Sequence, residues 1–217
     1  MKILTDRVER HRFIFDTIAP VYAALDKIVK KGHRKGIENV INVVELEGKT
    51  VLDIGTGAAA WGALYMENGA KVHGVDFAEK MIKRAEKMYG HKMTFSVGNA
   101  MDLDHIPDNS YDIVTASFVL HGFSFEKRNL ILKEMHRISK NIIIVNDYYG
   151  HTPALGRFLE FMEGSDYKNF KRTFVDELKA LFPEIMVCRA EVGQAVYFAA
   201  KTKGSFAGKS CVKERFA

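Results

Sequence analysis

Only two cysteines, Cys188 and Cys211, occur in 217 residues. That is too few for a disulfide framework, and the simpler expectation is a reduced, cytoplasmic setting. No apolar run approaches the roughly 20 residues that a membrane span requires. The opening Met1-Lys2-Ile3-Leu4-Thr5-Asp6-Arg7 lacks a signal-peptide apolar core. Membrane contact is therefore expected to be peripheral at most. Internal repeats and low-complexity linkers are absent, and the length fits one domain with a real core. What is present is ordinary: 47% hydrophobic and 27% charged residues describe a soluble globular chain.

The formal net charge is +5. From Lys201 onward the chain sets Lys201, Lys203, Lys209, Lys213 and Arg215 against Glu214, so this tail holds four of the five excess charges. A nearly neutral body with a basic tail argues against a nucleic-acid partner. The tail segment Gly204 to Ser210 is one residue short of phosphate-loop spacing and follows no strand of the required kind. A second basic cluster, Lys27, Lys30, Lys31, Arg34 and Lys35, reads most simply as a solvated face. Its sharper reading is attraction to an anionic membrane surface or substrate.

Apolar periodicity predicts a helix over residues 5–19, closed by Pro20. It predicts one or two more over 21–44, on the stripe Leu25, Ile28, Val29, Ile37, Val40, Ile41 and Val44. From Lys49 the pattern changes to strand–helix alternation. Strands are expected at 50–54, 71–76, 93–98, 111–117 and 140–147, with helices near 58–68, 78–89 and 125–139. Such alternation implies a parallel sheet covered by helices on both faces. Two helical pieces, 154–162 and 173–182, then precede strands 184–191 and 193–201, joined at Val192-Gly193. The expected fold is α/β, a doubly wound sheet that is mostly parallel and ends in an antiparallel hairpin. One domain covers 1–217, with a helical N-terminal cap (1–46), a core (47–203) and a basic tail (204–217).

The chain is organised around Val51-Leu52-Asp53-Ile54-Gly55-Thr56-Gly57, a buried strand running into a glycine turn, followed by Ala58-Ala59-Ala60 at the start of a helix. Gly55 and Gly57 permit a sharp turn and let a ligand lie against bare backbone. The helix start offers N–H groups to an anion. Gly55-x-Gly57-x-x-Ala60 with Asp76 further on also matches a dinucleotide pattern. Asp53 separates the two readings: it would face the pyrophosphate of NAD unfavourably but suits a ligand bearing an ammonium and a sulfonium. Asp-x-Gly-x-Gly after a buried strand resembles the first motif of the Rossmann-like, class I S-adenosylmethionine (SAM) methyltransferases.

Asp76, at the end of the second strand, has the placement of a bidentate ribose acceptor, or of an N-cap for the next helix. Phe77 would lie against adenine. Asn99 suits the adenine edge, or a turn. Met81 on the second core helix, and Met101, complete the expected cofactor surface. Ser117-Phe118 ends the fourth strand beside the expected methyl site.

Phe15-Asp16-x-Ile18-Ala19-x-x-Tyr22, Thr56, Asp76, Asn99-Ala100, Pro107-Asp108-Asn109-x-Tyr111-Asp112 and Ser117-Phe118-x-Leu120 together resemble the ubiquinone/menaquinone C-methyltransferase branch over about residues 12–147. The resemblance implies SAM contacts at Thr56, Asp76, Asn99, Ala100 and Ser117, and closure of Tyr22 over the methionine end. The chain departs from that branch at His121-Gly122, where an Arg-Asn pair is usual, and at Asn146-Asp147-Tyr148-Tyr149-Gly150-His151. In that branch these positions face the methyl acceptor, so the resemblance implies the same for them here.

Methyl transfer needs an aligned nucleophile and exclusion of water, without a covalent enzyme intermediate. His121 is the first candidate base, since imidazole titrates near neutrality. Its alternative is a packed histidine at the pocket wall. Asp147, Tyr148 and His151 form a second candidate cluster, or simply loop chemistry before Pro153. His121, Asp147 and His151 suffice on paper for a metal triad, but no metal is expected. Phe13, Phe15, Tyr22, Tyr148, Tyr149, Phe158 and Phe161 would supply an apolar wall for a small-molecule acceptor. Cys188 reads as core, and Cys211 as a tail thiol. The competing functions are an NAD(P)-dependent oxidoreductase and a non-catalytic SAM-binding module.

Overall fold

The computed structural model describes residues 33–150, 166–190 and 193–212. The helix expected at 5–19, that at 154–162, and Tyr22 and His151 lie outside them. Helix α1 occupies 33–43. There follow β1 (Thr50–Ile54), α2 (Ala60–Glu67), β2 (Lys71–Asp76), α3 (Glu79–Tyr89), β3 (Thr94–Val97) and β4 (Tyr111–Ser117). A 3-10 turn (Leu120–Gly122) leads to α4 (Phe125–Ile138), β5 (Ser139–Tyr148), α5 (Tyr167–Leu181), β6 (Glu184–Arg189) and β7 (Gln194–Ala200).

The seven strands form one sheet in the order β3-β2-β1-β4-β5-β7-β6. Pairing is parallel from β3 to β5, whereas β7 runs antiparallel to both β5 and β6. This is the mostly parallel sheet with a terminal hairpin that the alternation predicts. Successive side chains alternate between two cores. Val51, Ile113, Ile144 and Phe198 pack with Ile37, Val40, Trp61 and Tyr65 from α1 and α2. Leu52, Val114, Ile143 and Val145 pack on the other face with Ile131, Leu132, Phe170 and Phe174 from α4 and α5. Both faces are dry, which is why these strands are written as apolar runs. No described helix is long and apolar enough to cross a membrane.

Parallel register brings the functional ends of the strands to one edge. Ile54 pairs with Val75 and Ala116, Asp76 with Val97, and Ser117 with Asn146. The chain leaves β1 and β4 in opposite directions, toward α2 on one face and α4 on the other. That divergence opens a crevice beyond the carboxyl ends, where ligands of doubly wound sheets bind.

Two expectations change at the C-terminal side. Cys188 and Cys211 are joined in a disulfide, so neither is a free thiol, and the argument from cysteines for a reducing compartment falls. The bond forms because residues 201–212 turn back onto the sheet instead of trailing away. Phe206 is buried against Phe198, and the Glu184 carboxylate accepts the N–H groups of Ser205 and Phe206. Asn39 of α1 donates to Arg189 O and accepts from Val212 N–H. The described part of the basic tail is thus a packed element. Helix α5 also begins at Tyr167, six residues before the expected start.

Candidate active site

The glycine turn is shaped by backbone and by close approach. Gly55 and Gly57 have φ of 68° and 54°, values that only glycine adopts at little cost. A Cβ on Gly55 would also lie 2.5 Å from Val119 Cγ2. Gly55 and Thr56 N–H both donate to Val75 O, at 2.8 and 3.0 Å, which locks the turn to the end of β2. Ala59, at the start of α2, takes φ 65° without being glycine. Local strain of this kind persists where the surroundings over-determine it.

Two carboxylates brace this turn. Asp53 is 1% exposed; its Oδ2 accepts from Thr56 Oγ1 at 2.7 Å, and it also accepts a backbone hydrogen bond from Gly62 in α2. Burial, opposed by these two bonds, pushes its carboxyl up to about 7. Asp53 therefore works from beneath the turn, tying it to α2. Asp76, at the end of β2, accepts from Gly57 N–H at 2.9 Å and from Ala78 N–H at 2.8 Å. It closes an Asx turn just before α3 and is not the helix's cap, since the N-cap position falls on Ala78, and it holds the glycine turn against β2. Burial raises its carboxyl above the usual range, and the two backbone bonds lower it in part.

Around this turn stand the other residues expected to hold a cofactor. Phe77 remains 38% exposed at the crevice edge. Met81 Cε would lie 3.4 Å from a Cβ on Gly57, which places the thioether against the turn. Asn99 accepts Met101 N–H at 3.1 Å in a tight turn, the bland role of the two expected for it. Ala100 and Met101 pack on the core beneath.

The ends of β4 and β5 build a second group. Ser117 Oγ lies 3.0 Å from His33 Nε2 and accepts from Asn146 Nδ2 at 3.0 Å. Phe118 follows at φ 53°, its N–H bonded to Asn146 O. Its ring stands between His33 at 5.9 Å, His121 at 6.2 Å and Tyr148 at 5.4 Å. His121 Nδ1 lies 2.7 Å from Asp147 Oδ1. Tyr148 packs edge-on to His121 at 4.8 Å. The structure thus brings His121, Asp147 and Tyr148 together. No group of three metal-ligating side chains converges among the described residues.

Three contributions escape sequence reasoning. His33 sits inside a basic stretch that reads as a solvated face, yet it is buried over Ser117 and lies 5.3 Å from Trp61. Trp61 Nε1 donates to Thr115 Oγ1, and Thr115 donates to Ile144 O, a polar stitch inside the sheet. Fully buried Arg128 forms a two-pronged pair with Glu177, fixing α5 on α4, and lies over the Phe170 ring. Each depends on residues far apart in sequence, and no local spacing signals them.

Residues 51–141 match the family described as a methyltransferase domain. Demethylmenaquinone methyltransferase of Geobacillus stearothermophilus is 35% identical over 141 residues, 61% of this chain and 59% of that protein. The ubiquinone/menaquinone biosynthesis C-methyltransferase of Geotalea uraniireducens is 31% identical over 150 residues, 63% of this chain and 61% of that protein. The chain therefore spans about three-fifths of the length of these curated relatives. Magnesium protoporphyrin IX methyltransferase from Synechocystis PCC 6803, solved with bound S-adenosylhomocysteine (SAH), has the same fold. It superposes with a TM-score of 0.57 at 19% identity, over 86% of this chain and 83% of that one. In sequence and fold the chain resembles the class I SAM-dependent methyltransferases, and in sequence their ubiquinone/menaquinone branch.

Proposed function

We propose that this chain is a SAM-dependent methyltransferase acting on a small-molecule acceptor, and that residues 1–217 form one domain capped by residues 1–46. The observation that carries the reading is the braced glycine turn, Gly55-Thr56-Gly57 with the Asp76 carboxylate on Gly57 N–H, inside the stretch that matches a methyltransferase domain. The residues fit the cofactor. Bare backbone at Gly55 and Gly57 accepts close approach, and Asp76 keeps lone pairs for ribose hydroxyls beyond the two it spends. Phe77, Met81, Asn99, Ala100 and Met101 border the adenine end. Thr56, Ser117 and Phe118 border the methionine end, and Asp53 acts from below the turn. SAM, when bound, supplies a methyl group already activated on a sulfonium.

The chain's own work is to orient the acceptor and exclude water. Relatives named for quinone and porphyrin methylation support a small, flat acceptor. His121-Gly122 in place of the usual Arg-Asn pair argues for one other than the branch's own. The hairpin β6–β7 counts against an NAD(P) oxidoreductase; Asp53, buried beneath the turn, does not face the ligand and so does not separate the two readings as its place in the sequence suggests. Calorimetric titration with SAM, SAH and NAD in parallel tests the reading. Micromolar binding of the two adenosyl ligands without NAD is expected; binding of NAD alone would overturn it.

A further inference from the structure

Contacts toward both ends fix α1 in place. At its start, His33 Nε2 lies 3.0 Å from Ser117 Oγ. At Gly36 the helix comes so near the sheet that a Cβ would lie 3.2 Å from the Trp61 indole and 3.3 Å from Asn146 Oδ1. This half of α1 therefore lies over the ends of β4 and β5, beside the crevice. The other half meets the C-terminal segment. Asn39, 1% exposed, accepts Val212 N–H at 3.0 Å and donates to Arg189 O at 3.1 Å. Asn42 donates to Ser210 O. Between Ser210 and Val212 stands Cys211, tied to Cys188 of β6.

We infer that the Cys188–Cys211 bond is a redox site that takes a dithiol reductant, and that its state sets the affinity of the crevice for cofactor through α1; the second part rests on the proposed SAM-dependent reading. Cys188 is completely buried, whereas Cys211 is half-buried between exposed Ser210 and Val212. An incoming thiolate therefore meets the Cys211 sulfur. It bonds to Cys211 Sγ as the disulfide breaks, and the electron pair leaves on Cys188 Sγ, which takes up a proton. The reductant's second thiol then displaces Cys211 and closes the reductant's own disulfide, and Cys211 takes up the second proton. Two electrons and two protons have passed from the dithiol to the protein.

The consequence is local. Residues 209–212 belong to no helix or strand, so the disulfide and the side-chain bonds of α1 clasp them in place. Such a segment opens at low free energy once its crosslink is gone. Release of Val212 deprives the buried Asn39 carboxamide of its donor and lets water in beside α1. Ile37 and Val40 keep α1 packed on the sheet. The fold therefore survives reduction, and the helix is held less tightly over Ser117.

Trp61, the sole tryptophan of the chain, lies under α1 and reports on it without any ligand. In the whole chain, reduction by dithiothreitol should shift Trp61 emission to longer wavelength. The pair Cys188→Ser and Cys211→Ser should give the reduced emission with or without reductant. SAH affinity, measured by calorimetry, should fall about fivefold or more on reduction. By linkage, saturating SAH should raise the ratio of reduced to oxidised dithiothreitol at half-reduction by that same factor. Asn39→Ala cuts the path from the C-terminal segment to the helix, and should bind SAH equally in both states. A bond that no ratio of dithiothreitol reduces in the folded chain would overturn the redox site. Equal SAH affinity of oxidised and reduced wild type would overturn the coupling, as would a redox effect that survives in Asn39→Ala. Loss of the cooperative melt on reduction would overturn the local account. Failure of SAH to bind in both states would overturn the SAM reading instead, and Trp61 emission alone would then decide whether the bond holds α1.

Discussion

At the scale of single residues, the two carboxylates near the glycine turn behave differently, and each difference can be measured. Asp76 spends one lone pair on Gly57 and one on Ala78. Asp76→Ala is expected to weaken SAM binding at least tenfold, because a hydrogen bond to a charged group contributes roughly 1.5–3 kcal/mol. Unchanged affinity in the folded variant would remove Asp76 from the site. Asp53 keeps its proton in the folded state up to about 7, against an ordinary 3.8. The unfolded chain gives that proton up earlier, so this contribution to stability declines as pH rises from about 4 to 7. Asp53→Asn still accepts from Thr56 and carries no charge at any pH. Its melting temperature should gain on wild type between about pH 4 and pH 7. Parallel pH profiles in scanning calorimetry would mean that Asp53 is ionised in the fold. The sequence singles out both aspartates because each sits at a strand end beside the glycine turn, but it reads Asp53 as facing the ligand, whereas burial beneath the turn gives it a bracing role that local spacing does not signal. His33 was not: its partner Ser117 lies 84 positions away, and its neighbours in sequence are basic.

At the scale of elements, the β1–α2 turn tolerates little substitution. Gly55→Ala meets two obstacles, the positive φ and the Val119 side chain, and should cost about 1–3 kcal/mol in urea unfolding. Adding Val119→Ala should recover the steric share and leave the backbone share; no recovery would mean that the clash is not felt. The strands were legible because a parallel sheet buried on both faces demands unbroken apolar runs, as in Ile142 to Val145 of β5. The start of α5 was not. Tyr167 and Phe170 belong to its buried stripe, but the Gly-Ser-Asp segment before them looks like loop, and only the docking of Glu177 onto Arg128 shows which way that stretch goes.

At the scale of the whole molecule, the C-terminal residues close the structure. Residues 201–212 cross the far end of the sheet and are bonded through Cys211 to β6 and through Val212 to α1. Closing a loop with a sequence separation of 23 removes unfolded-state entropy worth about 3 kcal/mol. Dithiothreitol, or the pair Cys188→Ser and Cys211→Ser, should therefore lower the melting temperature. An unchanged value would show that packing of Phe206 alone secures the segment. Two cysteines could not announce this pairing, because it depends on a turn of the chain after β7 that has no periodic signal. The sheet order carries one more consequence, for synthesis. Because β7 lies between β5 and β6, β5 has no hydrogen-bonding neighbour on that side until residue 200 has left the ribosome. From the completion of β5 at Tyr148 to that of β7 at Ala200, the nascent chain carries a long, apolar, unpaired edge, and only β7, when it emerges, protects that edge from pairing with other chains.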